Sequence, residues 1–297
     1  MASIVFNTAL PGIDLTSTDI FGELFDLDIV TSSSTRLTLA DEGDRYNFIG
    51  TGLSYEMSGS EIVGVPTGTV TQMTITFGST NLLNWSGLSV SANQMFTFAA
   101  LGNWTALNNL LLGQSDTISM TNAGDQINSF GGNDRVRTLG GNDLADGGAG
   151  ADTLDGGTGN DKLFGGLGRD RLLGGSGADT LIGGAGVDVL TGGTGADVFA
   201  FTHRGAANRE IITDFNARQD DLHFDNDAFT AFSYTGRLRA ADFVLGTAAQ
   251  DASDRFIYDR ASGNLWYDAD GSGQGGKVLV AELRDGTALG AGDIHIL

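Results

Sequence analysis

The sequence predicts an almost wholly β protein in three parts. A small β-rich N-terminal domain with one helix occupies residues 1–112, a flattened right-handed coil of stacked nine-residue units occupies 113–201, and a β-rich cap occupies 202–297. Three observations carry this reading. Aspartate stands at 116, 125, 134, 143, 152, 161, 170, 179, 188 and 197, ten in succession at intervals of nine. Two places after each comes Ile118, Ile127, Val136, Ala145, Leu154, Leu163, Leu172, Leu181, Leu190 and Phe199, an apolar series in the same phase. On both sides of this array, short β-branched and aromatic runs alternate with Gly, Ser and Asn turns, as strands do.

In the N-terminal part these runs are SIVF, TRLTLA, YNFIG and TVTQMTITF, which suggest a small antiparallel sheet. A helix is expected over 91–112. Ser91 and Gln94 have capping-box spacing, and Met95, Phe96, Phe98, Ala99 and Leu101 supply apolar surface, with Gly102 as a weak point.

From Gly147 to Asp197 six units read GGAGAD, GGTGND, GGLGRD, GGSGAD, GGAGVD and GGTGAD. Before them, SFGGND and TLGGND keep the glycine two places ahead of the aspartate but lose the leading pair, and around Asp116 and Asp125 even that glycine gives way to Gln114 and Ala123. A fixed period of this kind marks a repeat architecture in which each unit buries its apolar residue against its neighbours. The first six residues of a unit should form a turn and the last three a short strand. Glycine lets the backbone fold tightly and direct carbonyls inward. Carbonyls together with a carboxylate are the ligands a hard cation such as calcium takes, six to eight oxygens at a time.

Two units would make one turn of the coil. One edge then carries Asp116, Asp134, Asp152, Asp170 and Asp188, and the other carries Asp125, Asp143, Asp161, Asp179 and Asp197. Strands stacked about 4.8 Å apart would bring like charges together, so the geometry is self-repelling unless a cation lies between the loops.

The pattern GGxGxDx(L/I/V/F)x resembles the RTX, or haemolysin-type, calcium-binding repeat. The resemblance implies a parallel β-roll with calcium between loops of units n and n+2. It also implies that carbonyls at loop positions one and three serve one ion, that those at two and four serve the next, and that the aspartate bridges both. Carried onto this chain, the ligands are Gly147, Gly148, Ala149 and Gly150 with Asp152; Gly156, Gly157, Thr158 and Gly159 with Asp161; and Gly165, Gly166, Leu167 and Gly168 with Asp170. They continue with Gly174, Gly175, Ser176 and Gly177 with Asp179; Gly183, Gly184, Ala185 and Gly186 with Asp188; and Gly192, Gly193, Thr194 and Gly195 with Asp197. Six complete loops, three per edge, imply four inter-loop sites, and the degraded loops at Asp134 and Asp143 imply two more of lower affinity. The expected cofactor is therefore about four to seven calcium ions.

The segment after the array, ADVFAF running into REIITDFNARQDDLHFD, is similar to the strand that follows the last repeat in this family, and WYDADGSG to a turn in its C-terminal region. The resemblance implies export from a Gram-negative bacterium by the type I secretion machinery, directed by an uncleaved C-terminal signal. The ending Asp293, Ile294, His295, Ile296, Leu297 is similar to such tails.

Composition narrows the function further. A net charge of −21, with Lys162 and Lys277 the only lysines, disfavours nucleic acid and anionic membranes and favours divalent cations. With no cysteine, disulfides, thiolate metal sites and a cysteine nucleophile are excluded. MASIVFNTALPGIDL lacks the layout of a Sec signal peptide, and no run approaches the ~18 apolar residues of a membrane span.

Several strings imitate other chemistry. GSGQGGKV nearly spells a P-loop, but Val278 stands where Ser or Thr would hold magnesium. Asp268, Asp270 and Ser272 imitate the start of an EF-hand loop whose twelfth position, Leu279, lacks the needed glutamate, so a hairpin turn is expected there. His203, His223 and His295 are the only histidines, and neither HExxH nor GxSxG occurs. The acidic groups Asp41, Glu42, Asp44, Glu56 and Glu61 are read as solvated surface rather than a glycosidase pair.

The expected function is that of a secreted, non-enzymatic calcium-binding protein at the cell surface or outside the cell. It would fold on meeting extracellular calcium and serve a structural, surface-layer, matrix or adhesion role, with self-assembly. The alternative is a protein that binds or modifies extracellular polysaccharide, using the coil as an accessory module.

Overall fold

The computed structural model describes residues 2–6, 28–33, 36–41, 44–54, 57–58, 61–62, 67–77, 80–91, 112–120, 122–271 and 276–297. The chain divides into two compact units, 1–139 and 140–297. The helix expected over 91–112 lies, apart from its two ends, outside the described residues, and Ser91 closes the strand Thr80–Ser91. Leu112, at the other end of that span, is helical, and the remaining described helical elements are two three-residue 3₁₀ turns, Ala240–Asp242 and Ala291–Asp293. No helix among the described residues is long and apolar enough to cross a membrane.

In the first unit an antiparallel sheet runs Asp28–Ser33, Arg36–Asp41, Asp44–Ser54, Thr67–Phe77, Thr80–Ser91 and Ala2–Phe6. At Ala2–Phe6 the sense changes. This strand lies antiparallel to Thr80–Ser91 but parallel to Asp116–Ser119, with Ala2 opposite Asp116 and Ile4 opposite Ile118. Asp116–Ser119 then pairs in parallel with Arg135–Arg137, Val136 opposite Ile118. One N-terminal strand thus joins the antiparallel sheet to the start of the array and covers a strand edge that would otherwise offer unpaired backbone groups.

In the second unit the array is a parallel β-solenoid with two faces. One face stacks Thr153–Thr158, Arg171–Ser176, Asp188–Thr194, Glu210–Ile212 and Val278–Leu283, and the other stacks Leu144–Asp146, Lys162–Gly168, Thr180–Ala185, Val198–Phe201, Asp221–Phe224 and Ile294–Ile296. Within the repeats each strand pairs with the one eighteen residues on, so Leu154, Leu172 and Leu190 align on one face and Ala145, Leu163, Leu181 and Phe199 on the other. Every member of the apolar series is buried. Alternation along a strand places these residues inside and their neighbours outside. The strands run longer than the three residues expected of them: they take in the leading glycines of the following loop, as where Gly157 pairs with Gly175.

The two ladders outlast the repeats. Ile212 and Leu283 continue one, and Leu222 and Ile294 the other. Beyond them an aromatic plug fills the interior. Phe201 stacks on Phe224 at 4.3 Å, Phe224 meets Phe229 edge-on at 4.9 Å, and Phe256 lies against Phe224 and Tyr267. Each such ring removes about 150–250 Å² from water, which seals the last turn's apolar interior. FIYDRASGNLWYD forms a hairpin, Phe256–Asp259 antiparallel to Asn264–Tyr267. The latter pairs antiparallel with Val278–Leu283, which brackets the turn carrying Asp268 and Asp270.

Candidate metal centre

The six loops use glycine for two different physical reasons. The second and fourth glycines take positive φ, as at Gly166 (+102°) and Gly168 (+134°), where a side chain would be strained and its Cβ would run into the carbonyl oxygen of Gly148 or Gly150. The first glycine has ordinary φ but no room. A Cβ on Gly147 would lie 2.7 Å from Asp152 Oδ2 and 2.8 Å from the carbonyl oxygen of Gly165. The same holds at Gly165, where Asp170 Oδ2 and the Gly183 carbonyl oxygen stand at 2.6 and 2.5 Å. Gly156 and Gly174 repeat it, with Asp161 Oδ2 and Gly174 O, and with Asp179 Oδ2 and Gly192 O. At these four glycines, then, a carboxylate oxygen of one loop and a main-chain oxygen of the next loop on that edge converge on one small space. The third residue of each loop turns its side chain outward: Leu167 is 61% exposed, which explains why this position is free to vary.

The aspartates are all buried, Asp134, Asp143, Asp152, Asp161, Asp170, Asp179, Asp188 and Asp197 among them. Their Oδ1 atoms tie the turns together by accepting the backbone N–H of the aspartate eighteen residues earlier. The bonds run from Asp116 to Asp134 (2.8 Å), Asp143 to Asp161 (2.9 Å), Asp152 to Asp170 (2.8 Å), Asp161 to Asp179 (2.8 Å), Asp170 to Asp188 (2.8 Å) and Asp179 to Asp197 (3.0 Å). The structure thereby brings together alternate units, not sequence neighbours. Oδ2 is different. In Asp161, Asp170, Asp179 and Asp188 it is buried and has no hydrogen-bond partner among the described residues. A buried carboxylate oxygen without a donor costs several kcal/mol.

Burial therefore pushes these carboxyls up. Asp170 rises to about 6, through burial opposed by the Asp152 N–H and reinforced by the charge of Asp188. Asp179 also rises to about 6, with Asp161 and Asp197 adding repulsion. Asp161, Asp188 and Asp197 move the same way, burial first. A set of converging carboxylate and carbonyl oxygens, without nitrogen or sulfur, fits a hard dication and suits calcium.

The degraded loops reach the same path by other means. Phe130 and Leu139, at the second loop position, adopt positive φ (64° and 73°) without being glycine. Ser129 and Thr138 occupy the first position and are buried. The Ser129 hydroxyl donates to Asp134, whose carboxyl burial nonetheless raises to about 6.

The two edges end differently, on residues that the nine-residue period does not reach. Glu210 takes the aspartate position of the next turn, paired with Asp188. Its side chain is almost fully buried, its Oε2 has no hydrogen-bond partner, and that atom and Asp188 Oδ2 crowd the space beside Gly183 that a loop carbonyl shares elsewhere. Burial first, then the charges of Asp188 and Asp170, push its carboxyl well above the usual range. On the other edge Asp220 is saturated: Oδ1 accepts the Asp197 N–H (3.0 Å) and Oδ2 the Asn216 N–H (2.7 Å). Asp214 accepts the N–H groups of Gly192 and Gly193. The spacings 188–210 and 197–220 break the period, so only the strand register exposes these residues.

The family described as RTX calcium-binding nonapeptide repeat (4 copies) matches residues 128–163 and 164–199. A search of curated proteins returns no match. Among solved structures the chain is similar to the solution structure of the AlgE6R3 subunit of the Azotobacter vinelandii mannuronan C5-epimerase, at 24% identity over 61% of this chain and 77% of that one, TM-score 0.26. It is also similar to the extracellular lipase LipA from Serratia marcescens, at 15% identity over 62% of this chain and 40% of that one, TM-score 0.24. With the repeats matched over 128–199, the strands stacked eighteen residues apart and the aspartates buried in the loops, this part of the chain consists of RTX calcium-binding nonapeptide repeats folded as a parallel β-roll.

Proposed function

We propose that this is an exported structural protein of the cell surface or extracellular matrix, whose roll folds when it meets calcium outside the cell. The observation that carries the reading is the row of buried, partnerless carboxylate oxygens at Asp161, Asp170, Asp179 and Asp188, each set beside a glycine that leaves room for nothing larger. In the proposed arrangement calcium lies between alternate loops, held by the aspartates and by main-chain oxygens of the six complete loops, and Glu210 closes one row. Asp134 and Asp143 contribute weaker sites. If about five ions each stood tenfold above their Kd, binding would stabilise the fold by roughly 7 kcal/mol, comparable to the whole stability of a domain. Where calcium is scarce the acidic array stays unfolded and can be threaded through a type I exporter.

The test is a calcium titration of the full chain in chelated buffer, followed by circular dichroism and by light scattering. The expected result is a cooperative gain of β signal, accompanied by assembly into ordered particles. An unchanged spectrum in excess chelator overturns the folding switch. Folding without assembly, together with release of fragments from an added acidic polysaccharide, replaces the structural role with a polysaccharide-modifying one.

A further inference from the structure

We propose that Asp221, His223 and His295 form a second kind of metal site, for a borderline dication such as zinc, on the outer face of the cap. The placement follows from strand alternation. In Asp221–Phe224 and Ile294–Ile296 the residues Leu222, Phe224, Ile294 and Ile296 are buried, which turns Asp221, His223 and His295 to the opposite face. The two strands are parallel neighbours with His223 opposite His295, and the imidazoles stack at 5.0 Å with 27° between their planes.

One ligand atom from each of the three side chains lies within 4.8 Å of the others. Tetrahedral coordination at 2.0–2.1 Å needs donors about 3.4 Å apart. His295 Nε2 and Asp221 Oδ1, at 3.6 Å, are already close to that spacing. His223 must draw in by about an ångström, within reach of a half-exposed ring turning about χ1 and χ2. His295 Nε2 is a buried atom without a hydrogen-bond partner among the described residues, and the group facing it is the Asp221 carboxylate at 3.6 Å.

The donor chemistry separates this place from the calcium rows. Two imidazoles and one carboxylate suit zinc, cobalt or nickel, whereas calcium takes oxygen. Burial and the neighbouring His295 hold His223 below the usual histidine range, which favours the neutral ring that a metal needs. The surroundings are mixed in charge. Arg237 stands opposite His295 on the antiparallel strand Gly236–Arg237 and is exposed, so it can swing away, and Asp293 lies close enough to interact with Asp221. On the other side of His223 the neighbour is Ala200, which leaves room for the ion. Three protein ligands leave a fourth position for water or an exchangeable group.

The experiment uses the full chain saturated with calcium, titrated with cobalt(II) chloride by absorption and with zinc chloride by calorimetry. The expected result is one site with tetrahedral cobalt bands that excess calcium does not displace. It should weaken by at least about tenfold in His223→Asn or His295→Asn but not in the exposed His203→Asn. Equal zinc affinity in the His223→Asn/His295→Asn double variant overturns the site. Because substitutions in the cap can disturb folding, imidazole ¹⁵N resonances of the unsubstituted protein provide an independent readout. Zinc should move those of His223 and His295 and leave His203 in place, and the absence of such a shift defeats the proposal.

Discussion

The complete loops between Gly147 and Asp197 and the degraded loops at 129–134 and 138–143 share a backbone conformation but hold it differently. In the complete loops glycine supplies positive φ at the second position without strain. In the degraded loops Phe130 and Leu139 take the same φ against their own side chains, at a cost of about 1–2 kcal/mol each. In the complete loops the space beside the aspartate is left open, and Oδ2 of Asp161 or Asp170 is without a partner. In the degraded loop before Asp134 the carboxylate also receives a hydrogen bond from the Ser129 hydroxyl. The comparison teaches that the backbone path outlives the glycine that makes it free of strain.

Removing calcium should break the complete loops most severely. Chelation is expected to abolish their β signal at pH 7, a loss of several kcal/mol, with hydrogen exchange as the residue-level readout. Next in size, Gly168→Ala places a Cβ on the Gly150 carbonyl at a φ of +134°. It should cost about 3 kcal/mol or more and shift the calcium midpoint of folding upward. Glycine to alanine at Gly131, the third position of a degraded loop, where φ is not positive, should cost well under half as much.

Asp170→Asn should then lower calcium stoichiometry by at least one ion in calorimetry, because in the proposed arrangement its carboxylate lies between neighbouring loops of one edge. Asp134→Asn should leave the tighter sites unchanged and lose only about 1 kcal/mol of stability, the bonds from Asp116 and Ser129 being weakened together with one of the weaker proposed sites.

Acidity sharpens the comparison further. Asp170 and Asp179 titrate near 6 in the fold and near 3.8 outside it, so the metal-free fold binds more protons than the unfolded chain between those values. Its stability must therefore fall as pH rises from about 4 to 6. Taking the chelated protein from pH 7 to pH 5 should recover part of the β signal, while calcium affinity declines over the same interval. No recovery by circular dichroism would show that these carboxylates do not govern the metal-free state. The smallest effect expected is a gain: Leu139→Gly relieves a strained φ at the expense of chain entropy, and should raise the thermal midpoint by an amount worth about 0.5–1 kcal/mol.

Much of the roll was legible in the chain itself. A period of nine in Asp152, Asp161 and Asp170 and in Leu154, Leu163 and Leu172 determined the strand spacing, the buried ladder and the pairing of alternate units, because a repeated local conformation can stack in few ways. The two uses of glycine were not separable there, since a residue needed for φ and one needed for space are both written Gly. Only the stacked structure shows that Gly166 is the first kind and Gly165 the second.

The ends of the rows lay beyond sequence reading for a related reason. Glu210 follows Asp188 by twenty-two residues and Asp220 follows Asp197 by twenty-three, and a period of nine has nothing to say about either. Their roles come from strand register, a long-range property set by how the aromatic plug closes the interior. The same register brings His223 beside His295 across seventy-two residues of chain. The sequence by itself determined a calcium-binding roll, because periodic side chains act through local geometry. Where the roll stops, and what its cap places together, only tertiary packing decided.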